Sequence, residues 1–269
     1  MNPDFIVVGG QKCGTTPLRF YLNQHPEVHM EGELQFFSEH YKKGVEWYQQ
    51  CFNGCNGKTT GEKTPEYMYF EEIPERIYEF DPKMKLIFLF RDPVKRTFSQ
   101  YLHNRRRGLE PLGFKDALGA EAVRLNDMRN RSRFGYVDRS LYGVQVARYL
   151  DFFSKDQCLF LLAEDLYKNR MDVVKRVCDF IGVSSDVSID NLRDVHVGGS
   201  PRTQLLAQWS WSDFARRHTW LSYGLLWLNT SKKKPVLDEA LKKHLTTVFQ
   251  ESNWVLHRLT GLDLSVWGK

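Results

Sequence analysis

Three stretches of the chain are apolar without a polar alternation: Phe5–Val8, Lys85–Phe90 and Gln157–Leu162. Short runs of this kind predict strands buried on both faces, as in a parallel sheet covered by helices. Between them the apolar positions recur at helical spacing. Leu18, Tyr21 and Leu22 share a face after the first run, and Pro26 forbids its continuation. Helices are predicted over Val45–Phe52, Ile73–Phe80, Val94 to about Arg106, Leu141–Phe153, Val173–Ile181 and about Leu237–Leu256. Val28–Met30 reads as a short strand, residues 114–131 as polar helix, and residues 184–234 as irregular. Strands alternating with helices define an α/β class: a central parallel sheet flanked by helices, with a C-terminal helical, aromatic-rich extension. The expected organisation is one domain over 1–269, with a core at about 4–182 and an extension at about 183–269.

The residues just after each strand matter most, because ligands of open α/β sheets bind at the carboxyl ends of the strands. After Phe5–Val8 the chain turns through Gly9, Gly10 and Gly14 and enters a helix at Thr15-Thr16. This P-loop-like layout presents backbone N–H groups and a helix N-terminus to a phosphate. Lys12 lies inside the turn, where its ammonium can meet the same anion. The spacing is not that of a Walker A loop, whose lysine comes after the last glycine. After Lys85–Phe90 comes Arg91-Asp-Pro93, an arginine placed to fork onto a phosphate, with Ser99 two turns into the next helix. Glu33 comes after the Val28–Met30 strand and can share a site with Lys12.

Composition narrows the class. The 269 residues are 42% hydrophobic and 26% charged, as in soluble globular proteins. A net charge of +5 is too mild to argue for nucleic acid but suits an anionic ligand. No membrane-spanning apolar run and no secretory signal are apparent, so no membrane partner is expected and the location is expected to be cytoplasmic. The five cysteines, an odd number, point to reduced thiols. Cys51-x3-Cys55 lacks a second pair for zinc, and Cys13 reads as a small loop filler.

Gln11-Lys-Cys-Gly-Thr-Thr16 resembles the phosphosulfate loop of the sulfotransferases that use 3′-phosphoadenylyl sulfate (PAPS). Arg91-Asp-Pro-Val-Lys-Arg-Thr-Phe-Ser-Gln-Tyr101 resembles their 3′-phosphate motif at every fixed position. Glu33-Leu-Gln-Phe-Phe37, Gly61-Glu-Lys-Thr-Pro-Glu-Tyr67, Arg139-Ser-Leu-Tyr-Gly143 and Glu164-Asp-Leu166 resemble segments of the heparan-sulfate branch, although Gly32 stands where a lysine is usual. The resemblance covers roughly residues 4–182.

The resemblance implies a donor site at Gln11, Lys12, Cys13, Gly14, Thr15, Thr16, Arg91, Ser99 and Tyr142, with 3′,5′-adenosine diphosphate as product. The branch's K-G-R-x-H loop is absent, and Gly198-Gly-Ser-Pro-Arg-Thr203 stands in, which nominates Gly199 and Arg202. Lys12 and Lys63 would stabilise the leaving phosphate and Glu33 would be the general base, with His40 and His196 as runners-up. No metal is called for, since lysines, N–H groups and Arg91 carry the charge. The acceptor is expected to be a small molecule, natural product or carbohydrate. Arg105–Arg107, Arg129, Arg131 and Arg133 are candidates to meet an anionic sugar or to form a solvated face. Trp209, Trp211, Trp220 and Trp227 are candidates to floor a pocket or to pack a core. The alternatives are a P-loop kinase or other nucleotide-binding enzyme, and a non-catalytic nucleotide- or glycan-binding protein.

Overall fold

The computed structural model describes residues 1–55, 57–187, 189, 200–201, 203–210, 224, 228–231 and 235–268. The chain divides into two compact units. The first comprises Met1–Asp92, Leu141–Val195 and Gln250–Lys269; the second comprises Pro93–Ser140 and His196–Phe249.

The first unit is built on a five-stranded parallel sheet: β1 (Phe5–Gly9), β2 (Val28–Glu31), β3 (Thr59–Lys63), β4 (Lys85–Phe90) and β5 (Cys158–Leu162), in the order β2-β3-β1-β4-β5. Its helices are α1 (Thr15–Leu22), α2 (Val45–Gln50), α3 (Ile73–Phe80), α8 (Tyr142–Leu150), α9 (Ala163–Lys168) and α10 (Arg170–Ile181). The apolar runs become the centre of the sheet because both of their faces are covered. Phe5 through Val8 and Leu86 through Phe90 are fully buried, in one core with Leu18, Tyr21, Tyr149 and Val177.

One strand escapes the hydrophobic pattern. β3 reads Thr-Thr-Gly-Glu-Lys, yet it lies between β2 and β1 and is buried from Thr60 onward. Hydrogen bonds make that burial tolerable. Asp4 Oδ2 accepts from the Thr60 N–H at 2.7 Å, and the Thr64 N–H donates to Val7 O at 3.2 Å. Gly61 pairs with Phe5, whose ring lies so close that a Cβ at residue 61 would stand 2.5–2.7 Å from three ring carbons.

The second unit holds α4 (Pro93–Arg106), α5 (Phe114–Gly119), α6 (Glu121–Arg124), α7 (Met128–Phe134) and α11 (Gln204–Ser210). It also holds the antiparallel pair β6 (Ser200–Pro201) and β7 (Thr230–Ser231). The polar helix expected over 114–131 is thus three short helices reaching Phe134, and the region read as irregular contains α11 and a two-stranded pair. Buried polar groups organise this unit. Arg96 donates to Tyr136 O at 2.8 Å, Ser140 Oγ at 2.9 Å and Gln100 Oε1. Glu110 accepts from Arg124 at 2.5 Å and from the Tyr136 hydroxyl at 2.8 Å. The last helix, α12 (Glu239–Thr260), begins in the second unit and ends in the first. Among the described residues no helix is long and apolar enough to cross a membrane.

Candidate active site

The strand order places β1 between β3 and β4. The segments leaving the carboxyl ends of these three strands begin with Gly10, Thr64 and Arg91. β1 runs into a tight loop in which Lys12 (φ 68°) and Gly14 (φ 94°) both adopt left-handed backbone. Such reversals turn peptide N–H groups inward, the geometry of an anion-binding nest. Gly14 is also the N-cap of α1 and supplies no side-chain cap. The first-turn N–H groups of a helix have no intrahelical acceptor, and Pro17 removes one of them. A Cβ on Gly14 would approach Leu166 Cδ2 at 3.1 Å, so that side chain would have to give by a few tenths of an ångström, in addition to the strain of a side chain at this φ.

Lys63 ends β3 and is 5% exposed. Its Nζ donates to Glu33 Oε1 at 2.5 Å and to Thr16 Oγ1 at 3.3 Å. The structure thereby joins three sequence candidates, from three separate segments, at the mouth of the glycine loop. Lys63 reaches both because β3 lies between β1, which leads to Thr16, and β2, which leads to Glu33. The Glu33 side chain remains half exposed, which leaves it reachable by a second molecule.

Arg91 comes directly after β4 and donates from Nη1 to Lys12 O at 3.3 Å. Tyr142, at the start of α8, donates its hydroxyl to Arg91 O at 3.0 Å and lies 3.5 Å from Cys13 Sγ. Cys13 is fully buried in this contact, as a loop filler should be. Lys12, Cys13, Arg91 and Tyr142 therefore form one connected group. The Arg91 turn is held by Glu164, from one of the branch-like segments, and by Trp267 and Gly268, which the sequence did not nominate. Glu164 accepts from the Asp92 N–H at 3.0 Å and from Trp267 Nε1 at 3.3 Å, and the Gly268 N–H donates to Asp92 Oδ2 at 3.0 Å.

Ser99 lies on α4 of the second unit. Gly199, Arg202, His196, Trp211, Trp220 and Trp227, and the Arg129 side chain, lie outside the described residues. Trp209 is 62% exposed on α11, so it is not core. His40 sits edge-on to Trp47 at 5.6 Å. Arg105 spends its guanidinium on the carbonyls of Glu110 and Pro111.

A further acid was missed. Glu62 is fully buried one residue before Lys63. It accepts from the Tyr48 hydroxyl at 2.6 Å, from Thr64 Oγ1 at 2.9 Å and from the Tyr67 hydroxyl at 3.0 Å. Burial pushes its carboxyl up to about 7, against the opposing effect of these bonds and of the Leu34 backbone. The signal available in sequence was its place in Gly61-Glu-Lys-Thr-Pro-Glu-Tyr67, one residue before the candidate Lys63.

Comparison with known proteins bears on the family of the chain. The 3-O-sulfotransferase 3B1 of mouse, a heparan sulfate glucosamine sulfotransferase, is 33% identical over 190 residues, covering 67% of this chain and 46% of that protein. The mouse bifunctional heparan sulfate N-deacetylase/N-sulfotransferase 4 is 32% identical, over 68% of this chain and 22% of its own length. The chain thus spans less than half the length of these two curated relatives. A sulfotransferase crystal structure from Alicyclobacillus acidocaldarius superposes with a TM-score of 0.76 at 26% identity, covering 100% of both chains. The sulfotransferase domain family matches residues 2–252, nearly the whole sequence, and the chain belongs to that family.

Proposed function

We propose that the chain transfers the sulfuryl group of PAPS to a hydroxyl or amine of a carbohydrate acceptor. The observation that carries this reading is the Glu33–Lys63–Thr16 contact beside the Lys12 loop: a half-exposed carboxylate and a buried ammonium at the end of a phosphate loop. The acceptor class is supported by the two curated relatives, both named for heparan sulfate. The reading treats residues 1–269 as one sulfotransferase domain. A cytoplasmic setting, expected from the sequence, is part of the same proposal.

In this reading the loop N–H groups, Lys12 and the Thr15 and Thr16 hydroxyls hold the 5′-phosphosulfate. Arg91 takes the 3′-phosphate. The donor end is further lined by Gln11, Cys13 and Tyr142. Glu33 removes the proton from the acceptor O–H or N–H. The freed electron pair forms the new bond to sulfur, and the old S–O bond breaks onto the 5′-phosphate oxygen. Negative charge grows on that oxygen as the transfer proceeds, and fixed cations there lower the barrier. Lys12 and Lys63 supply them. Once Glu33 has taken the proton, it no longer competes for Lys63. The products are a sulfate ester or sulfamate and 3′,5′-adenosine diphosphate, and the charges present call for no metal.

Calorimetric titration with 3′,5′-adenosine diphosphate tests the donor half without any acceptor. Wild type should bind, and Lys12→Ala and Arg91→Ala should each weaken binding by about tenfold or more, as lost charge-assisted contacts do. Absence of binding, with ATP and Mg²⁺ bound instead, would overturn the reading.

A further inference from the structure

Residues 34–37, which carry the chain away from Glu33, are fastened to β3 by two relays that end on one carboxylate. The Gln35 N–H donates to Thr64 Oγ1 at 3.3 Å, and that hydroxyl donates to Glu62 Oε2 at 2.9 Å. The Phe37 N–H donates to the Tyr67 hydroxyl at 3.2 Å, which in turn donates to Glu62 Oε1 at 3.0 Å. A third bond comes from the Leu34 backbone and a fourth from Tyr48 on α2. Gln35 itself is held at φ 52°, a left-handed conformation that a side-chain-bearing residue adopts only when its surroundings impose it.

The direction of these bonds is dictated by chemistry. An ionised carboxylate only accepts, so the Thr64 and Tyr67 hydroxyls must both point their protons at Glu62. Their lone pairs then face the N–H groups of Gln35 and Phe37. A neutral amide or acid at residue 62 offers a donor to one of these hydroxyls and breaks this one-way order.

We propose that Glu62 is a positioning residue: its ionised carboxylate orients the Thr64 and Tyr67 hydroxyls, which hold residues 34–37 and thereby set Glu33 against Lys63. The proposal rests on the reading of Glu33 as general base. Glu62 touches neither donor nor acceptor in that reading and acts only through its neighbours. Maintaining a charge there is costly, since burial raises its carboxyl to about 7. The groups that face it are Tyr48, Thr64, Tyr67 and, more distantly, Cys51; burial first, then Glu62, lift both tyrosines well above their ordinary range. Ionised Glu62 therefore predominates only above neutrality, and turnover should fall as pH drops through about 7.

The test compares wild type, Glu62→Gln, Thr64→Val, Tyr67→Phe and Glu33→Gln, with PAPS as donor and glucosamine-containing oligosaccharides as acceptors. Glu62→Gln should lower kcat about 10- to 100-fold, the scale of a small misplacement of a catalytic group. It should leave the affinity for 3′,5′-adenosine diphosphate within about threefold, keep a melting temperature at pH 8 no lower than that of wild type, and lose the limb near pH 7. Thr64→Val and Tyr67→Phe each remove one relay and should lower kcat several-fold; they carry the test if Glu62→Gln does not fold. Wild-type kcat in all three relay variants, with Glu33→Gln inactive, overturns this inference and leaves the base intact. A kcat loss matched by lost nucleotide binding and a lower melting temperature at pH 8 also overturns it, since Glu62 is then merely structural. Full turnover by Glu33→Gln instead overturns the base reading on which the inference stands.

Discussion

Lys63 Nζ stands 2.5 Å from Glu33 Oε1, and the two partners occupy opposite environments: the lysine side chain is 6% exposed and the carboxylate 51%. Removing either one therefore has different consequences. Glu33→Gln leaves a buried ammonium short of its carboxylate and should cost roughly 1–3 kcal/mol. Lys63→Met replaces the cation by an apolar chain of similar size and leaves a carboxylate that water can reach. Its stability should stay within about 1 kcal/mol of wild type while kcat falls about 100-fold or more. Urea midpoints and initial rates on the two variants check the asymmetry.

Stability should depend on pH through Glu62. Its carboxyl titrates near its ordinary value of 4.5 in the unfolded chain and at about 7 in the folded one. Between those values the folded state holds a proton that the unfolded state has lost, so stability falls as pH rises through the window and then levels. The total is roughly 3 kcal/mol, from about 1.36 kcal/mol per pH unit. Glu62→Gln lacks this titration, so its stability relative to wild type should rise by that amount from pH 4 to pH 8. A pH-independent difference contradicts the assignment.

Gly61→Ala should be destabilising out of proportion to one methyl group. The new Cβ would lie within 2.7 Å of the ring of Phe5, itself fully buried. A cost of about 1–3 kcal/mol or more is expected for such overpacking. Phe5→Leu in the same chain should recover part of it, and denaturant melts of the single and double variants measure the coupling.

Trp267→Ala should weaken nucleotide binding without touching the nucleotide. Trp267 holds Glu164, which holds the Asp92 N–H beside Arg91. Losing one hydrogen bond of this clasp, about 1 kcal/mol, should raise the dissociation constant for 3′,5′-adenosine diphosphate several-fold. Titration of that nucleotide reads the change directly.

Where the chain is apolar on both faces, its structure was legible. Phe5–Val8, Lys85–Phe90 and Gln157–Leu162 all lie in or at the edge of the sheet strands, and Lys12, Thr16 and Arg91 flank the ends of their strands as expected. β3 was illegible because its burial is compensated by specific bonds to Asp4, Tyr48, Tyr67 and Glu33, most of them distant in sequence. Glu62 was hidden for the same reason. Arg96 and Tyr101, fixed positions of the motif after β4, turn out to bond Tyr136 O and Leu112 O within the second unit. A motif records residues that build the fold together with those that meet the ligand, and spacing alone does not separate them. The Trp267 clasp is invisible to local pattern because it joins chain segments from Asp92 to Gly268.

The central claim is that Glu33 takes the acceptor's proton while the phosphate loop holds the donor. The direct measurement is the rate of 3′,5′-adenosine diphosphate release from saturating PAPS, with acceptor present, for wild type and Glu33→Gln. The account predicts that Glu33→Gln binds the nucleotide with affinity close to wild type but releases product about 100-fold more slowly, within the range of a lost general base. Equal rates of product release by the two proteins would contradict it.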